Sequence, residues 1–335
     1  RATIAAWMSE HRGRQREQRV PRLPIDRVFS AKGFGTVVTG TLLGGSLAVG
    51  DELVLLPGRG DARSKIRRLT VHGEDRPSAG PGTVSLFLPG FARDEVRRGQ
   101  IATLPELFRE STCFDAELDV LEHVDNGLAD RATALLHTLT QYVPARVVLL
   151  EQEILAPGDH AFVQIRCEGP TAVVAGDRFV LRGFEVLGGH GRTVAGGRVL
   201  DPTAPRFRRR LRGPHLARLQ ALASNDPERA VAARAEDAGL GGVAESELWS
   251  AVPFAANSSR AALASLAQRG ELVQLPELPK RYFAAQSLER ARNSLTEALA
   301  RHHASAPEEI GAAKESLRAQ LFRDVEVRVF DAALD

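Results

Sequence analysis

The feature that most constrains the fold is a change in hydrophobic periodicity near residue 205. From Pro21 to Asp201, apolar and polar residues alternate in short runs that are separated by glycine-containing turns, a pattern typical of β-strands. Beyond residue 205, apolar residues recur at spacings of three and four, which is typical of amphipathic helices. The chain is therefore predicted to be multidomain, with all-β domains followed by α-rich ones.

The β region divides into two segments of similar size, 21–106 and 107–204. So many short strands in each segment favour a barrel over alternating β and α units. The strands predicted in the first segment are Ile25–Ser30, Thr36–Leu43, Glu52–Leu56, Ser64–Val71, Thr83–Leu88 and Gln100–Thr103. Those predicted in the second are Phe114–Leu121, Tyr142–Leu150, Ala161–Cys167, Arg178–Arg182 and Arg192–Leu200.

The helical region has the order of a winged helix, three helices followed by a hairpin. This order predicts a winged helix over 205–286, in which a first helix, Pro214–Ser224, precedes the three helices Pro227–Ala238, Glu245–Val252 and Ser258–Arg269 and the hairpin strands Glu271–Leu275 and Lys280–Phe283. The order begins again in 287–335, with helices Leu288–His303, Ala312–Leu321 and Val329–Leu334. It stops before any wing, so Asp335 is expected to be a cut end; alternatively, the last helix packs on its neighbours.

Composition excludes several classes of protein. The chain has 335 residues, 43% of them apolar and 26% charged, as in an ordinary soluble protein. No apolar run is long enough to span a membrane, and no signal-peptide pattern follows Arg1. Cys113 and Cys167 form no CxxC pair, and the histidines show no zinc-ligand spacing. We expect reduced thiols, no metal site and a cytoplasmic location.

Arginine dominates the basic residues, because only four of the 44 are lysine. Codon bias explains most of this ratio, so a single arginine is weak evidence of RNA binding. Clustering is stronger evidence. Between Asp201 and Gln220 lie six arginines against one acid, and such a run either attracts a phosphate backbone or forms a solvated linker. These arginines are Arg206, Arg208, Arg209, Arg210, Arg212 and Arg218.

The glycines between Gly33 and Gly40 do not form a nucleotide loop. A dinucleotide fingerprint requires a helix after its third glycine, whereas a β-branched strand follows here. A phosphate loop requires Gly-Lys-Ser/Thr, and no lysine of this chain follows a glycine. The chain is therefore predicted not to be an enzyme by itself.

Two sequence motifs carry a resemblance to a known family. Residues 22–30 (RLPIDRVFS), joined to 32–41 (KGFGTVVTGT), resemble the opening of the second domain of the selenocysteine-specific elongation factor, SelB. Residues 176–182 (GDRFVLR) and 192–202 (RTVAGGRVLDP) resemble the end of the third domain of such factors. Smaller matches are Val49-Gly50-Asp51, Val71-His72-Gly73 and Arg97-Arg98-Gly99.

The resemblance implies two barrels of the translational-GTPase domain II/III type followed by winged helices. It also implies that a GTPase domain precedes Arg1, that residues 1–20 are the end of that domain and a linker, and that Ala2–Arg19 contains its last helix. GTP and Mg²⁺ would be cofactors of that domain alone. The expected partners are selenocysteinyl-tRNA and the ribosome, for the recoding of UGA by a monomeric factor.

The resemblance places a selenocysteine pocket on the first barrel, at Asp26, Arg27 and His72. A selenol is mostly ionised at pH 7, whereas a hydroxyl is neutral, so a cationic pocket can distinguish selenocysteinyl-tRNA from seryl-tRNA by charge. We predict that Arg27 is the cation, Asp26 its orienting partner and His72 a tunable donor. The alternative is an ordinary surface ion pair between Asp26 and Arg27.

One departure concerns this pocket. The family often carries a further arginine where this sequence has Gly82 and Thr83, and the nearest arginine is Arg76. Either Arg76 substitutes for it, or the pocket is less cationic than usual.

Further RNA contacts are expected outside the pocket. The candidates for tRNA are Arg178, Arg182 and Arg192 on the second barrel, and those in the winged helix are Arg260 and Arg269. In the family, the mRNA hairpin is held by the last winged helix, which is expected to be missing here. The chain should therefore bind that hairpin weakly or not at all.

Three other classes of protein are alternatives to this family. Another translational GTPase of the general elongation or initiation type has similar barrels but does not normally continue into winged helices. A winged-helix regulator would need a strongly basic recognition helix, whereas Ser258–Arg269 is mainly alanine and leucine. A hydrolase would need a nucleophile motif, a histidine metal pair or paired carboxylates, and the sequence shows none of these patterns.

Overall fold

The computed structural model describes residues 20–31, 35–58, 62–124, 127–183, 191–276, 278–309 and 311–334. The helix predicted at Ala2–Arg19 lies outside these residues, as do residues 32–34 of the first glycine turn. The chain forms two compact units. Unit 1 contains residues 20–223 together with Trp249–Asn257, and unit 2 contains Ser224–Leu248 and the residues from Ser258 onwards.

The first barrel of unit 1 is built from ten strands. They are β1 Arg22–Ala31, β2 Gly35–Leu42, β3 Leu47–Ala48, β4 Glu52–Leu56, β5 Arg63–Lys65, β6 Arg68–Val71, β7 Glu74–Asp75, β8 Ser78–Ala79, β9 Gly82–Leu88 and β10 Ile101–Thr103. Eight of them pair in the order β5-β4-β10-β1-β2-β9-β6-β7, and β3 pairs with β8. Strand β5 lies at one end of this order and β6 near the other. Ile66 and Arg67 join them directly, so one bent segment connects the two ends of the sheet around the core.

The second barrel is closed. Its strands are β11 Ser111–Val120, β12 Leu128–Ala129, β13 Thr133–Thr138, β14 Gln141–Leu149, β15 Ile154–Leu155, β16 His160–Thr171, β17 Arg178–Gly183 and β18 Thr193–Asp201. The barrel order is β11-β16-β14-β13-β17-β18, and β12 pairs with β15 outside it. Inward-facing residues fill the barrel, with Phe114 and Phe179 in edge-to-face contact at 5.6 Å between ring centroids.

A buried ion pair joins the two barrels. Arg22 of β1 donates through both terminal nitrogens to the carboxylate of Asp177, which precedes β17, and both side chains are about 6% exposed. An apolar cluster lies at the same junction and includes Val20, Ile101, Phe108 and Val174, with Trp249 packed against it. Charge pairing and apolar packing thus hold the barrels together within unit 1.

Helix α1, Arg212–Ala223, belongs to unit 1 as well. Its Arg218 donates to Asp201 at 2.5 Å and to Asp115 at 2.8 Å, and both carboxylates are almost fully buried. Arg198 of β18 donates to the carbonyl of Ala223. These contacts fix α1 to the second barrel.

Unit 2 contains the winged-helix elements. They are α2 Pro227–Ala238, β19 Val243–Ala244, α3 Glu245–Ala251, α4 Ala256–Gln268, β20 Leu272–Leu275, β21 Leu278–Ala284, α5 Ala285–Ser305, α6 Lys314–Leu321 and α7 Val327–Leu334, and the boundary between the units passes through α3 and α4. Strand β21 pairs with both β19 and β20. Asp226 caps α2 by accepting from the backbone N–H groups of Glu228 and Arg229, and Gly270, at φ 74°, follows α4.

The predicted order of two β-barrels followed by an α-rich winged-helix region is confirmed. The sequence prediction missed β13 and treated β5 and β6 as one strand. Among the described residues, no helix is long and apolar enough to cross a membrane. The exact domain bounds remain predictions.

Candidate functional site

The Asp26–Arg27 pair lies at a β-bulge on the outer face of the first barrel. Ile25 pairs with Gly40 and Arg27 with Thr39, so Asp26 is an extra residue in β1. Both Asp26 and Arg27 are exposed, because the bulge interrupts the alternation of inward and outward side chains. Bulges commonly re-aim side chains near functional sites, and this one turns two adjacent charged residues to the surface.

Asp26 is held by Thr39 rather than by Arg27. The Thr39 hydroxyl donates to the Asp26 carboxylate at 2.7 Å. Within the described part of the chain, the Arg27 guanidinium forms no hydrogen bond or ion pair. Asp26 is thus fixed by its neighbour on β2, and Arg27 presents its charge to solvent; the role of Asp26 as the orienting partner of Arg27 stays a prediction.

A row of hydroxyl side chains extends from Arg27 across the sheet. Arg27 is opposite Thr39, Thr39 is opposite Ser85 on β9, and Ser85 is opposite Thr70 on β6. In the next row on the same face, Arg68 stacks on the ring of Phe87 at 5.0 Å. The structure thus places a second cation, Arg68, on the face that carries Arg27. Sequence reasoning missed it because only the strand register shows the shared face.

His72 lies in a tight turn at the far side of this sheet. His72 and Gly73 connect β6 to β7, because Val71 pairs directly with Glu74, and both have positive φ, 53° and 86°. This is the backbone of a two-residue hairpin turn, which histidine adopts less readily than glycine or asparagine. Strand β6 is three inter-strand steps of about 4.8 Å from β1, so the structure does not bring His72 next to Arg27.

Arg76, the proposed substitute for the missing family arginine, is ion-paired beside the same turn. It donates to Glu74 at 2.6 Å, and Arg68 donates to Asp75 at 2.5 Å. Thr83 is opposite Thr41 on the outer face. Arg68 and Arg76 therefore each pair with an acid, whereas Arg27 on the same sheet has no acidic partner among the described residues.

The arginines predicted to contact tRNA lie on one side of the second barrel. Arg178, Val180 and Arg182 point outward from β17 and are exposed. Arg182 donates twice to the carbonyl of Gly191. On the neighbouring strand, burial and, to a smaller extent, the charge of Arg182 lower the pKa of His137. Arg192 is also exposed.

The two winged-helix arginines are engaged by acids of unit 2. Arg260 pairs with Glu245 at 2.7 Å, and Arg269, just beyond the end of α4, pairs with Glu228 and Glu271 at 2.7 Å each. Hydrogen bonds from Arg269 and Ser265 lower the pKa of Glu228. These partners compete with any phosphate, so the geometry does not favour either residue as an RNA contact.

A cleft of about 1010 Å³ lies between the two barrels of unit 1. One wall carries Arg97 and Arg98, and the other carries His137 and Tyr142, whose rings are 5.9 Å apart. Tyr142 is 69% exposed. Such a cleft offers cations and an aromatic face together, the combination that suits a nucleic-acid strand. Arg97 and Arg98 belong to the sequence motif Arg97-Arg98-Gly99, but their proximity to Tyr142 depends on how the two barrels pack.

In the described ranges, no three His, Cys, Asp or Glu side chains gather in a way that could hold a metal ion. Burial raises the pKa of Cys113 to about 11 and that of Cys167 to about 12. Neither thiol is therefore a nucleophile at neutral pH.

Comparisons with known proteins point to one family. Residues 115–206 match the family "Selenocysteine-specific elongation factor, beta-barrel domain", and residues 296–335 match "Elongation factor SelB, winged helix". A selenocysteine-specific elongation factor from Desulfomicrobium baculatum is 31% identical over 297 residues, which are 88% of this chain and 46% of that protein. The chain thus spans about half the length of this relative.

The fold agrees with a solved structure. The crystal structure of a bacterial selenocysteine-specific elongation factor, EF-Sec, superposes with a TM-score of 0.75 at 17% identity. The match covers 99% of this chain and 50% of that one.

Proposed function

We propose that this chain, which belongs to the SelB family of selenocysteine-specific elongation factors, is the part of such a factor that holds selenocysteinyl-tRNA for delivery to the ribosome. The observation that carries the proposal is the sequence match to the D. baculatum factor, which runs through most of the chain. In this role the chain binds and positions RNA and performs no chemical step. GTP and Mg²⁺ are assigned to a different domain of the whole factor, and the mRNA hairpin to a further winged helix.

The aminoacyl site proposed is the outer face of the first barrel around Arg27. Its support is geometric: Arg27 is exposed, carries no acidic partner among the described residues, and lies in one row with Thr39 and, one strand further, Ser85. An ionised selenol placed there would gain a charge-assisted hydrogen bond. A seryl hydroxyl at the same place would leave the guanidinium without its anion.

The size of this discrimination follows from the chemistry. A hydrogen bond to a charged group contributes on the order of 1.5–3 kcal/mol, which corresponds to about 10- to 150-fold in affinity. Arg27→Gln should therefore reduce the preference for selenocysteinyl-tRNA over seryl-tRNA by about that factor, mainly by weakening the selenocysteinyl complex.

The experiment measures the binding of both aminoacyl forms of one tRNA to the chain and its variants. Arg109→Gln is the matched control, because Arg109 is exposed on the same unit and its substitution removes the same charge. His72→Asn tests the weaker candidate, because asparagine tolerates the positive φ of the turn but lacks the imidazole. Equal affinity of the unmodified chain for the two aminoacyl forms would refute the proposed site, as would equal effects of Arg27→Gln and Arg109→Gln.

A further inference from the structure

The arginine run after the second barrel is a fixed surface rather than a loose linker. Gln164, which is fully buried, accepts from the backbone N–H of Phe207 at 2.9 Å and donates to the carbonyl of Pro205 at 2.9 Å. The ring of Phe207 packs on His215 of α1 at 5.2 Å. Arg218, one turn later, is bound to Asp115 and Asp201. Both ends of the run are therefore anchored to the barrel.

Between these anchors, the arginine side chains face solvent. Arg206, Arg208, Arg210 and Arg212 are all exposed, and none of them has an acidic partner among the described residues. The one acid of this stretch, Asp201, is buried and bound to Arg218. Several exposed arginines elsewhere pair with acids, as Arg63, Arg76, Arg260 and Arg269 do.

The adjacent barrel wall extends this basic surface. Arg146 on β14 is directly opposite Arg166 on β16, and both point away from the core. Burial and Asp115 raise the pKa of the Cys113 thiol, whereas Arg166 and Arg206 oppose that rise, so these two guanidinium groups lie near the same buried sulfur. We define Arg146, Arg166, Arg206, Arg208, Arg210 and Arg212 as the linker patch; Glu168, two residues from Arg166 on β16, is an acid at its margin.

The linker patch is unfavourable for the isolated protein in two respects. Arg146 and Arg166 are directly opposite each other on neighbouring strands, and like charges in such a position destabilise a sheet. A cation at a helix N-terminus opposes the helix dipole, and Arg212 begins α1, whose first turn contains no acid. A bound polyanion would relieve both effects. Repulsion that an anion removes indicates a binding surface rather than a solvated face.

We propose that the linker patch is a second RNA-binding surface, which holds the phosphodiester backbone of a structured RNA separately from the aminoacyl site and from the arginines of β17. The patch is built from guanidinium groups, and the ring of Phe207 between them packs on His215, so it suits backbone contacts and carries little sequence preference. The proposal stands on the geometry of residues 205–218 and of β14 and β16. It does not depend on which amino acid the tRNA carries.

The test measures binding of a fluorescein-labelled RNA hairpin with a fully paired stem, by anisotropy over a range of KCl concentrations. The variant is R206Q/R208Q/R210Q/R212Q in the whole chain. Each phosphate contact contributes about 0.9 to the slope of log affinity against log salt. The variant should lower the slope by about 3–4 and the affinity by at least about tenfold near 100 mM salt.

A matched control removes the same number of charges from unit 2. R290Q/R292Q/R301Q/R323Q changes four exposed arginines. It should alter the slope of log affinity against log salt by less than about 0.9, the contribution of one phosphate contact. Equal losses in the two quadruple variants would reduce the effect to net charge and overturn the proposal. Equally tight, patch-dependent binding to vesicles of anionic phospholipid would overturn it as well, in favour of a membrane partner.

A single substitution separates binding from folding. Arg146→Gln removes the repulsion with Arg166, so it should leave the melting temperature unchanged or raise it while weakening RNA binding several-fold. A lower melting temperature with unchanged RNA affinity would overturn the proposal.

The two proposals fail in distinguishable ways. In the linker-patch variant, the ratio of selenocysteinyl- to seryl-tRNA affinity should stay at its original value while both affinities fall. A collapse of that ratio would place the patch in the aminoacyl site and overturn the inference. A ratio of one in the unmodified chain would refute only the proposed function.

Discussion

The ion pair between Arg22 and Asp177 gives the sharpest prediction for stability. Both charges are almost fully removed from water, and the pair joins the first barrel to the second. Asp177→Asn leaves the Arg22 guanidinium buried without a counter-charge, although the amide oxygen can still accept from the backbone N–H of Val174, as Asp177 does at 3.0 Å. Breaking one side of a buried pair costs about 3–5 kcal/mol.

That cost converts into a measurable shift. For a unit of roughly 200 residues, 1 kcal/mol lowers the melting temperature by about 2–4 °C, so Asp177→Asn should lower it by about 6–20 °C. The assay is urea and thermal unfolding followed by the fluorescence of Trp249, which packs at the same junction. A Trp7→Phe background makes Trp249 the remaining tryptophan of the chain.

The double variant Arg22→Met/Asp177→Asn tests the cause. It removes both charges and keeps the acceptor for Val174, so it should recover most of the stability that Asp177→Asn loses, because replacing a whole buried pair is often nearly neutral. If the double variant is as unstable as Asp177→Asn alone, the loss comes from shape and lost hydrogen bonds. The argument from uncompensated charge would then be refuted.

Two further predictions concern the interior of unit 1. Gly197→Ala places a methyl group 2.4 Å from the Glu117 carbonyl oxygen and 2.5 Å from the Phe179 ring, so it should lower the free energy of unfolding by about 1–3 kcal/mol. Gly213→Ala in α1 places its methyl group in open space and should raise the free energy of unfolding by about 0.4–1 kcal/mol. Equal urea midpoints for the two variants would contradict both expectations. Because burial raises the pKa of Cys113 to about 11 and of Cys167 to about 12 from 9.0, a thiol reagent at pH 8 should label neither until the chain unfolds. The native state retains these protons more tightly, so their stabilising contribution is complete below pH 9 and is lost as the pH rises through 11–12; fast labelling of the folded chain would contradict this.

Much of the fold could be predicted from the sequence because the barrel strands alternate clearly. The strands around Leu86 and Ile165 place apolar residues on the inner face and mainly polar ones outside, which is the signal that a period of two provides. Strand β13 was missed because Leu135 points outward between the inward-facing Ala134 and Leu136, so its alternation disappears. The break between β5 and β6 arises where Ile66 and Arg67 bend the segment from β4 towards β9, a tertiary effect that local sequence does not encode.

The candidate site was predictable in position but not in pairing. The motif placed Asp26 and Arg27 on an exposed strand, and they are exposed. The bulge that presents both side chains, and the hydrogen bond from Thr39 to Asp26, depend on the register between β1 and β2. The same holds for Arg68, whose place on the face of Arg27 follows from two further strand pairings. Side-chain partners across a sheet are set by register, which composition and periodicity leave open.

In a chain so rich in arginine, the number of cations near a surface says little about its function, whereas their partners say more. Arg269 in unit 2 is engaged by two carboxylates, so a phosphate there would have to displace existing ion pairs. Arg206, Arg208 and Arg210 have no such competitors among the described residues, and the buried pairs of Arg218 hold them in place. A phosphate at these three residues gains its attraction without displacing an ion pair, and at the linker patch it also relieves the repulsion between Arg146 and Arg166. RNA affinity of this chain should therefore arise mainly from unit 1, even though the fold of unit 2 is the one usually associated with nucleic acids.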